Sequence, residues 1–390
     1  METGDERVLI GQFCETYPPT LDGVGRVMLS YCQHLRGMGS RCLYIAPNNP
    51  LYPERVDCET LLYDGMRVPG ELYRVGFPRL SKSYRSAVSR LRFDVVHAHS
   101  PFFAAREAER IARRDGCPLV ATFHSKYYDD FYKATRSAAL SRLALRYVLR
   151  FYERCDEVWA VNEATADVLL GYGFKGDIVC MPNGTDISGI TDDDRREALA
   201  PWGLREGVPT LIFTGQQSLK KNTDTILRAC ALLAKGGMDF QLLMVGEGPD
   251  LRYLQSLAKT LGIADRVIFT GFMNHRPWLL ALYERADLLV FPSVYDNAPM
   301  VVREAAAMGT PPLLVRGACA AEGVTDGDNG FLCENTVEDV ARGIREALPR
   351  ARTVGQRARA TIPIPWSELM PRVLQRYEAL IARRAERNRE

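Results

Sequence analysis

Short apolar runs alternate along the chain with longer stretches whose apolar positions recur at helical spacing. RVLIGQF near the N-terminus reads as a strand, the loop TYPPTLDGVG follows, and a helical pattern runs from Arg26 to Met38. RCLYIAP reads as a second strand, then FDVVHAH, PLVATFH, EVWAVN and DIVCMPNG as further ones, several followed by helix-like segments. Strands that are apolar throughout, rather than alternating, belong to parallel sheets covered by helices on both faces. After Asp186 the run ITDDDRREALAPWGLREGVP is polar and punctuated by Gly and Pro, so residues 187–204 read as a linker. The strand pattern then restarts with PTLIFTGQ, FQLLMVGEG, RVIFTGF, ADLLVFPS and GTPPLLV.

The fold class that follows is α/β, with one Rossmann-like domain over 1–186 and a second over 205–365. Residues 366–390 read as a terminal helix anchored by Trp366 and Tyr377. A length of 390 residues and a hydrophobic fraction of 46% fit two such cores. A ligand belongs where the carboxyl ends of the two sets of strands face each other.

Charge changes the picture in one region. The net formal charge is only +2, yet residues 71–154 carry 17 basic and 8 acidic side chains. Arg142, Arg146, Arg150 and Arg154 fall along one side of a predicted helix that is otherwise rich in leucine. Such a helix is either an ordinary solvated arginine face or a contact with anionic lipid or an acidic acceptor. Nucleic acid is not an expected partner, because no stacking or recognition motif accompanies the charge. The start METGDERVLI lacks a secretory signal pattern and no run of 18 apolar residues exists, which predicts a cytoplasmic protein. The ten cysteines form no CxxC pair and no metal-ligand spacing, so they read as free thiols.

The most informative chemistry lies in FPSVYDNAPMVVREAAAMG, residues 291–309. Asp296 stands at the approach to a predicted helix and Glu304 about a turn inside it. Main-chain N–H groups at a helix start can hold an anion, and two carboxylates can grip hydroxyls. A nucleotide sugar offers both; a plain helix cap with a solvated face is the structural alternative. His124 ends an apolar strand; of His97 and His99 in VVHAHSP, at another strand end, one is expected to face the cleft and the other to support the loop, with His99 favoured for a site. Lys126 and Tyr127 in SKYYDDFYKA are acceptor-side candidates, and Gly23 and Gly25 permit close backbone approach.

Taken in order, DGVGRV, TFH at 122–124, FTGQQSLKK at 213–221 and the acidic pair resemble family 4 retaining glycosyltransferases. VGEGP at 245–249 and DGDNGFL at 326–332 extend the resemblance over nearly the whole chain. The resemblance implies a GT-B fold, two Rossmann-like domains facing across a ligand cleft, with the terminal helix crossing back to the first. It implies sugar transfer from a nucleoside-diphosphate donor, UDP-sugar favoured, to a hydroxyl of a glycan, glycolipid or small molecule. No metal and no tightly bound cofactor are implied. Lys221 matches the phosphate lysine, Glu304 the ribose-holding carboxylate, and Gly215, Gly23 and the main chain of Asn297, Ala298, Pro299 and Met300 the donor surface. His124, Lys221 and Asp296 become the catalytic candidates.

Two departures stand out. Gln216 occupies the place of a phosphate-binding arginine and carries no charge. Asp296 replaces a glutamate that contacts the transferred sugar, shortening reach by roughly 1.5 Å. These departures keep a noncatalytic nucleotide-sugar-binding protein open as an alternative, and the two-domain cleft equally suits an epimerase or a phosphorylase-like enzyme. No Walker A sequence and no GxSxG elbow is present.

Overall fold

The computed structural model describes residues 8–17, 23–49, 56–67, 74–186 and 189–389. Residues 18–22, part of the glycine-containing loop after the first strand, lie outside them. The chain divides into two compact units, Met1–Gly184 with Trp366–Glu390, and Thr185–Pro365.

The strands of the first unit are β1 (Leu9–Phe13), β2 (Arg41–Pro47), β3 (Glu59–Tyr63), the hairpin β4 (Gly65–Arg67) and β5 (Arg74–Gly76), β6 (Val95–Ala98), β7 (Leu119–Phe123), β8 (Glu157–Ala160) and β9 (Ile178–Cys180). Seven of them form one parallel sheet in the order β3-β2-β1-β6-β7-β8-β9. The second unit contains β10 (Thr210–Thr214), β11 (Gln241–Val245), β12 (Val267–Gly271), β13 (Leu288–Phe291), β14 (Pro312–Val315) and β15 (Phe331–Cys333). Its parallel order is β12-β11-β10-β13-β14-β15. Strand order therefore reverses between β1 and β6 in one sheet and between β10 and β13 in the other. Loops diverge at such reversals and leave a crevice at the carboxyl ends of the strands.

One local device sets strand register in both units. Asp94, Asp156 and Asp287 each precede a strand and grip the start of the neighbouring one. Their side chains accept the N–H groups of Leu9, Leu119 and Thr210 at 2.7, 2.9 and 2.8 Å. Their own N–H groups donate back to the carbonyls of the same three residues at 2.9, 2.8 and 2.8 Å. Each aspartate thus closes a two-bond clasp at the amino end of the sheet, where an apolar strand leaves backbone groups otherwise unsatisfied.

The helix Trp366–Arg387 packs on the first unit with Trp366, Leu369, Val373, Tyr377 and Leu380 buried. Arg376 donates to Glu157 at 2.7 Å and Arg384 to Asp156 at 3.3 Å, fastening the helix to the start of β8. Chain entry to and exit from the second unit are adjacent, with the Thr185 N–H donating to the Ile364 carbonyl at 2.7 Å.

The polar run read as a linker contains an ordered helix, Asp192–Leu199. Thr191 and Asp194 cap each other reciprocally, and Arg195 reaches Glu284 at 2.6 Å on the helix Arg276–Arg285. Its low hydrophobicity hid it: Ala198 is the one residue of this helix that is buried. Among the described residues no helix is long and apolar enough to cross a membrane.

Candidate functional site

In the second unit, the candidate groups converge at the strand-order reversal. β10 ends at Gly215, whose φ of +149° is one that glycine adopts readily. Gln217 then turns inward, fully buried, with its N–H donating to the Glu247 carbonyl at 2.9 Å. Gly246 and Gly248, after β11, press backbone against backbone here. A Cβ on Gly246 would lie 2.2 Å from the Gly215 carbonyl oxygen, and one on Gly248 would lie 2.4 Å from that of Gln217. The GEG sequence is therefore a packing requirement that shapes the 215–217 loop.

That loop delivers Lys221 to the end of β13. Its ammonium lies 2.5 Å from Asp296 Oδ1, and Ser293 donates to the other carboxylate oxygen at 2.6 Å. Both partners are mostly enclosed, with side chains 16% and 18% exposed. Asn222, at φ +55°, begins the next helix and donates to the Pro292 carbonyl at 2.8 Å, tying the lysine segment to the β13 loop. Lys220 turns to the Tyr295 ring, 4.9 Å from its centre. Gln216 is exposed.

Asn297, Ala298 and Pro299 lead into the helix Met300–Ala307, with Asn297 buried. Glu304 is buried as well and accepts from Arg276 at 2.8 Å, while Asp186 stands 3.8 Å from the same guanidinium. Nε and Nη2 of Arg276 are buried and make no hydrogen bond among the described residues. Arg303, one residue before Glu304, donates to the Ile362 carbonyl at 2.9 Å, and burial lowers its pKa. Phe272 is 52% exposed, so it is no core residue.

In the first unit, at the reversal between β1 and β6, His97 lies in β6 and His99 just past its end, and His124 directly follows the adjacent β7. His97 and His99 do not divide between a cleft and a loop: positions two apart in an extended chain share one face, and both rings are buried and stacked with centres 4.2 Å apart. His99 contacts His124 at 3.2 Å and Gln12 at 2.8 Å; His97 contacts Tyr377 at 2.6 Å and Thr122 at 2.7 Å. Burial pushes the pKa of His97 and His99 well down and that of His124 to about 3, so all three are neutral at pH 7.

Gly23 opens the helix Gly23–Gly37, where an added Cβ would meet none of the described residues within 4 Å. Lys126 immediately precedes the helix Tyr127–Thr135, and its side chain makes no capping hydrogen bond there. Tyr127 lies in the core, its ring 5.6 Å from those of both Phe102 and Phe123, so the ring serves packing. Gln12, Ser293, Arg276 and Tyr377 were not read as functional from sequence. Gln12 had a signal: a lone amide inside an apolar strand must find a buried partner.

Residues 194–360 match the family model described as glycosyl transferases group 1, and residues 21–188 match the one described as Glycosyltransferase Family 4. The chain belongs to family 4 of the glycosyltransferases. The GDP-mannose-dependent alpha-mannosyltransferase of Mycolicibacterium smegmatis is 27% identical over 389 residues, 95% of this chain and 97% of that one. The alpha-monoglucosyldiacylglycerol synthase of Streptococcus pneumoniae is 25% identical over 314 residues, 77% of this chain and 70% of that one. Among solved structures, Anabaena HepE in complex with UDP and glucose superposes with a TM-score of 0.77 at 18% identity, covering 95% of this chain and 99% of that one. The two-unit α/β fold is of the GT-B class.

Proposed function

We propose that this glycosyltransferase moves a hexosyl group from a nucleoside-diphosphate sugar to an acceptor hydroxyl, with retention and without a metal ion. The observation that carries this reading is the meeting of Lys221 and Asp296 from adjacent strands at the reversal between β10 and β13. A diphosphate placed there would take Lys221 as counter-charge, offsetting the negative charge that develops as the nucleotide leaves. Asp296, released from the lysine, would accept from hydroxyls of the transferred sugar.

Glu304 keeps one oxygen on Arg276 and would offer the other to ribose hydroxyls. Gly215 and the main chain of Asn297–Met300 would line the donor, with Gly23 beside the diphosphate. His124 would orient the sugar, Lys126 belongs to the acceptor side, and His99, buried with both ring nitrogens engaged, would act through His124 rather than on the acceptor. In this mechanism the acceptor attacks the face from which the nucleotide departs, and a donor phosphate oxygen takes its proton.

The acceptor is a glycan, a glycolipid or a small hydroxylated molecule. Peripheral contact with an anionic membrane on the cytoplasmic side fits the helix Ala138–Tyr152. It exposes Leu140, Leu143 and Tyr147 beside Arg142, Arg146 and Arg150. Arg154 is directed instead to Glu109, at 2.9 Å.

Competition among UDP- and GDP-sugars in native mass spectrometry, with EDTA present, tests the reading. Retention of one donor class, then a product whose anomeric configuration matches the donor by NMR, is the expected result. No retained donor would overturn it. A noncatalytic binding protein, favoured by the uncharged and exposed Gln216, would retain donor yet neither transfer nor hydrolyse it.

A further inference from the structure

The histidines of the first unit form part of a continuous hydrogen-bond chain with a definite direction. Gln12 is its asymmetric member, with a carbonyl at one end and an amide N–H at the other. Its Nε2 donates to the Tyr377 hydroxyl at 3.2 Å, and its Oε1 faces His99 Nε2 at 2.8 Å. A carbonyl only accepts, so His99 carries its proton on Nε2 and presents the Nδ1 lone pair. His124 Nε2, 3.2 Å away, must then be the donor of that contact. On the other branch, Tyr377 accepts from Gln12 and gives its own proton to His97 Nδ1 at 2.6 Å. His97 in turn donates from Nε2 to Thr122 Oγ1 at 2.7 Å.

Every member except Gln12 can play either role: imidazoles exchange tautomers and hydroxyls rotate. Reversing the Gln12 amide would reverse every bond in the chain. The surroundings hold the members in place. Gln12, His97, His99 and Tyr377 are all at most 1% exposed, and Trp159 stacks on Tyr377 with ring centres 5.5 Å apart.

We propose that Gln12, His99 and Tyr377 are positioning residues that fix His124 in its Nε2–H tautomer, so that its Nδ1 serves as an acceptor. Resting on the role proposed for His124, this makes the imidazole suited to receive a sugar hydroxyl proton in a hydrogen bond and unfit to donate one. Its depressed pKa agrees, since a charged imidazole would have no acceptor at all. Tyr377 makes the docked C-terminal helix part of the same arrangement.

The test uses the full chain labelled with ¹⁵N-histidine, read by two-bond ¹H–¹⁵N correlation at pH 7.5, with His34 and His275 as references. Neutral Nε2–H signals for both His99 and His124 are expected. A protonated or Nδ1–H His124 in the wild type overturns the proposal without any variant. In Gln12→Leu and Tyr377→Phe, His124 should lose its single tautomer. Turnover of the retained sugar nucleotide should fall at least tenfold in kcat, with KM within twofold.

Gln12→Glu, which still accepts from His99, should restore most of that kcat. An unchanged tautomer in both variants, or a changed one with kcat intact, overturns the proposal. Wild-type chain that retains and turns over no sugar nucleotide refutes the proposed function instead, and the wild-type histidine signals still decide the tautomer. Circular dichroism separates loss of fold from loss of positioning.

Discussion

Lys221 Nζ sits 2.5 Å from Asp296 Oδ1, joining side chains 75 positions apart in sequence. Neither is fully desolvated, so the pair can exchange partners when an anion arrives. Lys221→Met is expected to lower kcat by roughly 10²- to 10³-fold, the scale of losing one preorganised electrostatic contact. Asp296→Asn should preserve diphosphate binding while reducing transfer. A double-mutant cycle on donor hydrolysis would measure the coupling; strictly additive effects would show that the two act independently.

Gln216 is exposed beside the loop that carries Lys221. Gln216→Arg adds a guanidinium able to pair with phosphate oxygens, worth about 1.5–3 kcal/mol as charged hydrogen bonds. Titration calorimetry with the retained nucleoside diphosphate should show tighter binding by roughly tenfold or more, weakening with salt. Unchanged affinity would place the diphosphate away from this loop.

Gly246→Ala strikes backbone, since its Cβ would fall 2.2 Å from the Gly215 carbonyl oxygen at a φ of +121°. We expect destabilisation on the order of 2–4 kcal/mol by the strain and overpacking routes. Gly23→Ala, whose Cβ meets none of the described residues within 4 Å, should leave stability within about 0.5–1 kcal/mol while lowering transfer. Urea denaturation of both variants checks the contrast, and equal losses of stability would contradict it.

Stability should fall on the acid side. His124 has its pKa lowered to about 3, and His97 and His99 shift the same way. Unfolded imidazoles protonate near pH 6.5, so their contribution is fully present above that value. As pH falls below 6.5, each histidine can cost up to about 1.4 kcal/mol per pH unit, the loss from His124 continuing down to about 3.

Glu15 acts in the opposite sense. Burial raises its pKa to about 7, against a hydrogen bond from the Ala104 N–H at 2.6 Å. The folded carboxyl holds a proton that the unfolded chain releases near 4.5, so stability falls as pH rises from 4.5 to 7. Glu15→Gln should therefore raise the midpoint of urea denaturation at pH 8 and leave it nearly unchanged at pH 4.5. A midpoint that drops at pH 8 would contradict this sign.

The parallel architecture was legible because β1, β10 and β11 are buried at every position and so read as continuous apolar runs. β3 escaped because its first two residues are exposed, and β15 because three residues carry no period. Asp296, Glu304, Lys221 and His124 were visible as residues, being unusual groups at element ends. Their partners were not, because Ser293 and Arg276 are ordinary polar residues whose meaning depends on tertiary proximity. Gln12 pairs with Tyr377 across 365 positions, a distance no local pattern spans.

Thr185 and Pro365 lie side by side as a parallel bridge, and a Cβ on Gly184 would strike the Trp366 ring at 2.3 Å. The second unit thus begins and ends at one doorway, like a cassette spliced into a host whose own chain resumes where it paused. A short graft from Gly184 to Trp366 would close the host without stretching it. The segment Thr185–Pro365 can be excised or traded for that of a relative as one uninterrupted piece, carrying its Lys221–Asp296 pair intact. The donor chemistry proposed for that pair would in this sense be a replaceable part, whereas the hydrogen-bond chain from His124 to Tyr377 stays with the host.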